Sequence, residues 1–154
     1  MSPQDWLHAT AIRLTTPLLC RLYVEPYIVQ VQLPLDASPH SQPEPDFAVV
    51  DQTMLNQRPH PRCPHLVMEV AQSSLRYDRE VKANLYASMG IQEYWVLNVL
   101  DRQLEVFQQP VADPQVTFGF RYTRQHLCSE KEQIRALFAP EVEIPIHAML
   151  PPPA

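Results

Sequence analysis

Three short apolar runs limit what this 154-residue chain can fold into more than any other feature: DFAVV (46–50), LVMEV (66–70) and YWVLNV (94–99). Runs this short, apolar at successive rather than alternate positions, mark strands buried on both faces. Such strands need cover above and below their sheet, so helices must pack on it. Residues Asp5 to Leu19 repeat apolar positions (Leu7, Ala11, Leu14, Leu18) at helical spacing, with Pro17 near the end. YIVQVQLPL (27–35) alternates, which predicts a strand with Tyr27, Val29, Val31, Leu33 and Leu35 on one face. RQLEVFQ (102–108) and VTFGFRYT (116–123) alternate as half-buried antiparallel strands do. A second helix is expected over REVKANLYASM (79–89), with Asp78 as N-cap and Gly90 in the left-handed position past its end. The expected architecture is a mixed β-sheet flanked by helices, α/β or α+β, in one domain from 5 to 150. The terminal PPPA (151–154) is expected to be a disordered tail.

Two charges contradict this apolar pattern. Glu69 sits inside LVMEV, where an ionised carboxylate without a partner costs several kcal/mol and must shift its pKa, find a cation or bind a metal. Thirteen residues later, Lys82 falls on the apolar arc of the second helix between Met89 and Tyr86, at about 100° per residue. A helix folded back on the sheet brings the two together; the plainer reading is a lysine snorkelling from the edge of the stripe. Asp46 adds a second carboxylate immediately before DFAVV, a position that on its own signals only a turn after Pro45. Together, two carboxylates on neighbouring strands suit Mg²⁺, which takes one or two carboxylates plus waters, phosphate oxygens and often a backbone carbonyl. A lysine beside them positions the attacking water and stabilises negative charge on a phosphate.

Composition excludes several alternatives. With two glycines the chain cannot build a phosphate-cradling Gly-rich loop, and Ser73 and Ser74 lack the Gly-flanked turn of a hydrolase nucleophile, so they are read as loop support. His60, Cys63 and His65 in a Pro-rich loop match no closed zinc spacing. Three widely spaced cysteines fit no disulfide framework and point to a reducing, cytoplasmic setting; no secretory leader or membrane span is visible. A net charge of −5 gives no basic footprint for nucleic acid. Arg79 and Glu80 are expected in solvent, while Tyr86 and Trp95 are expected in the core.

PEPDFAVV (43–50), VMEVAQSSLRYDREVKANLYASMGIQEYWVLNV (67–99) and RQLEVF (102–107) resemble the Uma family of bacterial proteins, described as endonucleases of the restriction-endonuclease-like PD-(D/E)XK superfamily. The likeness runs from about His8 to Leu150. It implies a Mg²⁺ or Mn²⁺ site, DNA as substrate, and hydrolysis of phosphodiester bonds by Asp46, Glu69 and Lys82. The metal would be held by Asp46, Glu69 and the Val70 carbonyl. Ala71 occupies the usual lysine position two after the second acid, so Lys82 stands for a lysine migrated to the helix. Gln72 and Asn98 stand where polar or acidic residues are common. The family implies a preceding helix and hairpin with a further acid, which this chain is expected to lack. That and the acidic charge motivate an alternative: an inactive nuclease-fold relic acting in binding. A homodimer is expected from such nucleases acting on both strands.

Overall fold

A computed structural model describes residues 5–72 and 74–153. The chain runs through helix α1 (Trp6–Leu22), strands β1 (Tyr27–Val31), β2 (Phe47–Asp51) and β3 (Leu66–Ala71), helices α2 (Leu75–Tyr77) and α3 (Ala83–Ser88), then β4 (Glu93–Asn98), β5 (Gln103–Ala112), β6 (Phe120–Ser129), β7 (Gln133–Ala136) and β8 (Ala139–Pro145). Six strands form one sheet in the order β1-β2-β3-β4-β5-β6, and β7 and β8 form a separate hairpin. Only the β3–β4 pair is parallel within the six-stranded sheet, because its connection passes through α2 and α3. This is the mixed sheet flanked by helices expected from the sequence.

The doubly buried runs are its centre. All six residues of β3 and all six of β4 are buried, as are the first four of β2. Leu66, Met68, Val70, Trp95 and Leu97 face α1 and the β7–β8 hairpin, while Val67, Ala71, Tyr94 and Val96 face α3. Each fully buried large side chain contributes about 1.5–3 kcal/mol, so both layers are held by the same strands. Tyr86 and Trp95 are fully buried, as expected.

Four local expectations are corrected. Strand β1 ends at Val31 because Gln32 adopts φ 53°; Leu33 is left exposed and Leu35 joins the core on the opposite side of the sheet from Val29 and Val31. In α1, capped by the Asp5 carboxylate accepting from the Leu7 N–H, Leu14 lies outward and Leu19 takes the buried position. The stretch Thr117–Gly119 is a turn, with Phe118 at φ 66°, and the strand begins at Phe120. The tail expected from Pro151 starts with a buried residue whose carbonyl accepts from Arg102 Nη1 at 2.7 Å; Ala154 lies outside the described residues.

The second helix departs most. It begins at Leu75, four residues before the expected start, and passes through a π-turn at Asp78–Lys82. Asp78 is therefore an interior residue, 1% exposed, and not the N-cap. A π-turn releases a backbone carbonyl from the α pattern. Here the Asp78 carbonyl accepts from the buried Tyr94 hydroxyl at 3.0 Å, which ties the turn to β4. Gly90 closes the helix at φ 77°, the left-handed position the sequence predicts. An added Cβ there meets nothing within 4 Å, so Gly90→Ala is expected to cost only the backbone penalty, about 1–2 kcal/mol, measurable by urea unfolding.

No helix among the described residues is long and apolar enough to cross a membrane.

Candidate active site

The antiparallel register of β2 and β3 pairs Phe47 with Met68, so one step outward Asp46 lies beside Glu69. The two residues clasp each other through the backbone. The Asp46 N–H donates to Glu69 Oε1 at 2.9 Å, and the Val70 N–H donates to Asp46 Oδ2 at 2.8 Å. Strand pairing thus fixes both carboxylates side by side at the end of the sheet. Glu69 shares a sheet face with Val67 and Ala71, the face covered by the π-turn and α3.

Lys82 arrives from that turn. Its ammonium donates to Glu69 Oε2 and lies 3.2 Å from Asp78 Oδ1. The other Asp78 oxygen accepts from Ser74 Oγ at 2.7 Å, so Ser74 supports the loop as expected; Ser73 lies outside the described residues. On the opposite side, His8 of α1 contacts Asp46 Oδ2 through Nε2 at 3.2 Å, and Gln32 Nε2 donates to Asp46 Oδ1 at 3.3 Å. The structure therefore brings Asp46, Glu69 and Lys82 together, and adds Asp78, His8 and Gln32.

Burial and charge set these groups apart. Burial pushes Glu69 up, and Asp46 and Asp78 push the same way against the pull of Lys82, which leaves its carboxyl at about 7. Burial also raises Asp78, with Lys82 and Ser74 opposing. At Asp46 burial is outweighed by His8, the Val70 N–H and Gln32, and the carboxyl is lowered. Lys82 pays a desolvation cost, yet Glu69 and Asp78 outweigh it and raise its pKa. The hydrogen bond to Asp46 raises His8 against its burial. Lys82 is thus an ammonium at neutral pH, suited to holding negative charge and unable to accept a proton.

Three carboxylates surround one lysine and one histidine, an excess of hard oxygen and negative charge that suits a divalent cation. His8 Nδ1 is buried without a hydrogen-bond partner among the described residues, and Asp78 Oδ1 has only its ion pair with Lys82. No group of three or more His, Cys, Asp or Glu side chains among them is arranged as a metal cage. Asp46 and Glu69 are the two carboxylates that stand side by side, and Mg²⁺, which keeps several of its waters, takes one or two such groups. Val70 is placed at the site through its N–H.

Other candidates disperse. His65 pairs with Asp51 at 3.0 Å, Cys63 donates to the Gly90 carbonyl at 3.6 Å and His60 is exposed, so the three do not converge. Gln72 donates to Asp5 and Asn98 bonds Asp101, both structural ties. Glu80 is exposed as expected, but Arg79 is not a free surface residue: its Nε donates to both oxygens of the buried Glu105, at 2.6 and 2.9 Å. Asp78 had a readable signal, an acid four residues before Lys82 on a helix. His8 had none, because its partner is 38 residues away.

No curated protein sequence matches the chain. Among solved structures it is similar to a crystal structure described as "a putative nuclease belonging to DUF820" from Anabaena variabilis, with a TM-score of 0.72 and 15% identity, over 97% of this chain and 82% of that one. At that identity the likeness is one of fold. The sequence also matches the profile of the Uma2 family, described as "Putative restriction endonuclease", over residues 1–147. With that match spanning nearly its whole length, and its fold matching that of the Anabaena protein, the chain belongs to the Uma2 family.

Proposed function

We propose that this protein is a divalent-metal-dependent endonuclease that hydrolyses phosphodiester bonds in DNA. Membership of a family described as restriction endonucleases supports the reaction class. The observation that carries the reading is the convergence of Asp46, Glu69 and Lys82 from two strands and a π-turn, although they are spread over 37 residues of sequence. Asp46 and Glu69 hold Mg²⁺ or Mn²⁺, with the Val70 carbonyl as a further ligand. The ion, when bound, polarises the scissile phosphate and lowers the pKa of water. Lys82 stays protonated; it orients the attacking water as a hydrogen-bond donor and stabilises the negative charge that develops on the phosphate. Its ties to Glu69 and Asp78 hold it in place beforehand. The Val70 N–H and His8 keep the Asp46 carboxylate turned towards the site.

One observation favours a second reading, a nuclease-fold relic that only binds. Both Glu69 oxygens and both Asp46 oxygens already accept hydrogen bonds within the chain. Metal titration separates the two. In the endonuclease, Mn²⁺ at 100 times its Kd raises unfolding free energy by about 2.7 kcal/mol. The same protein nicks supercoiled plasmid, and EDTA stops it. Asp46→Ala is expected to lose both the stabilisation and the nicking. A protein that shows neither metal stabilisation nor nicking is the relic.

A further inference from the structure

The residues that hold Glu69 in register also place a second charged pair on the same sheet face. Glu69 is paired with Val96 across β3 and β4, and Val96 is paired with Glu105 across β4 and β5. Glu69 and Glu105 therefore lie in one row, two strand spacings or roughly 10 Å apart. The π-turn above supplies a cation to each: Lys82 to Glu69 and Arg79, three residues earlier, to Glu105.

The two ends of the Arg79–Glu105 pair differ. The Glu105 side chain is 2% exposed, whereas that of Arg79 is 39% exposed. Both carboxylate oxygens are bonded by Nε alone, and among the described residues neither terminal nitrogen of Arg79 has an acceptor. The guanidinium is held from behind and offers its remaining N–H donors in a fixed planar fork. Neutralising a buried glutamate does not require this, since a lysine supplies the charge and an apolar pair of similar volume is often as stable. A fork presented outward matches the oxygens of a phosphate. Arg76 and Lys82, three residues to either side, are matched by Glu80 and by Glu69 and Asp78, so the turn as a whole carries no basic excess and the phosphate contact falls to the open donors of Arg79.

We infer that Arg79, positioned by Glu105, binds a backbone phosphate of the nucleic-acid strand a few nucleotides from the bond cut at Asp46 and Glu69, an inference that rests on the nuclease reading above. At about 3.4 Å of helix axis per nucleotide, the row between the two glutamates spans that distance. Arg79 is a binding residue and Glu105 a positioning residue that acts through it.

Steady-state cleavage of a duplex oligonucleotide in Mg²⁺ at several salt concentrations tests it. Arg79→Ala is expected to raise KM about tenfold, to change kcat less than threefold, and to lower the salt dependence of KM by roughly one logarithmic unit per unit. Arg79→Lys keeps the charge without the fork and is expected to recover only part of the KM. Should Arg79→Ala fold poorly, the double variant Arg79→Met with Glu105→Gln removes both charges together and is expected to show the same KM and salt slope. Wild-type cleavage with KM and salt slope unchanged in these variants overturns the phosphate site alone. Wild-type protein that neither binds nor cuts DNA overturns the nuclease reading, and this inference with it.

Discussion

Replacing Lys82 with methionine is expected to destabilise the metal-free protein by about 3–5 kcal/mol at pH 8, the cost of breaking a buried ion pair from one side, and by far less at pH 5. Lys82 is the cation held by both Glu69 and Asp78, which are 2% and 1% exposed. Without it, two buried carboxylates face Asp46 with no ammonium between them. The direction with pH follows from the shifts. The Glu69 carboxyl is raised from its ordinary 4.5 to about 7 by burial, so the stability it contributes is full below 4.5 and is lost as pH rises through 7. Asp78 shifts in the same direction. Lys82 limits that loss by opposing burial at both groups, so its absence shows most where both are ionised. Asp46 is lowered and acts oppositely, giving stability that is lost as pH falls, but His8, Val70 and Gln32 set this and remain in the variant. Urea unfolding of both proteins at pH 5 and pH 8, without metal, measures the difference. An equal difference at the two pH values would show that the lysine acts through its apolar stem rather than its charge.

The cost of an unpaired buried charge made this pair legible from sequence. Glu69 in LVMEV required a partner, and Lys82 was the cation on an apolar arc. The doubly buried strands were legible for a similar reason, because continuous apolar runs admit few arrangements. What escaped depended on geometry that sequence encodes weakly. An acid before a helical run has the same signature whether it caps the helix or enters a π-turn, and so Asp78 read as a cap. The alternation of YIVQVQLPL continues past Gln32, yet one residue at positive φ sends Leu35 to the other core. His8 and Glu105 meet their partners from 38 and 26 residues away, through helix and strand placement rather than local pattern. The β7–β8 hairpin turns at Leu137 and Phe138, residues that carry no turn signal.

Glu69→Gln separates the structural and chemical roles of the clasp. Glutamine has the shape of glutamate, and its amide oxygen can still accept from the Asp46 N–H, so the register of β2 and β3 is kept. It carries no charge into a site that is 2% exposed, and Lys82 retains Asp78 at 3.2 Å. Metal-free stability at pH 8 is therefore expected to stay within about 1 kcal/mol of wild type, since the loss of an ionised buried carboxylate is offset by an amide NH2 facing the Lys82 ammonium where Glu69 Oε2 accepted from it. Metal binding has the opposite need. A divalent ion gains from the carboxylate charge, and even changes outside the ligand set cost 10–100-fold in affinity, so loss of a ligand is expected to lower plasmid nicking by at least about 100-fold at fixed Mn²⁺. Tm without metal, the rise in Tm with Mn²⁺, and the nicking rate give the three readouts. A folded Glu69→Gln protein that nicks at the wild-type rate would leave the Asp46–Glu69 pair as a strand clasp alone and move the catalysis elsewhere. Loss of nicking with stability retained would mean that the chain keeps the buried glutamate for its charge.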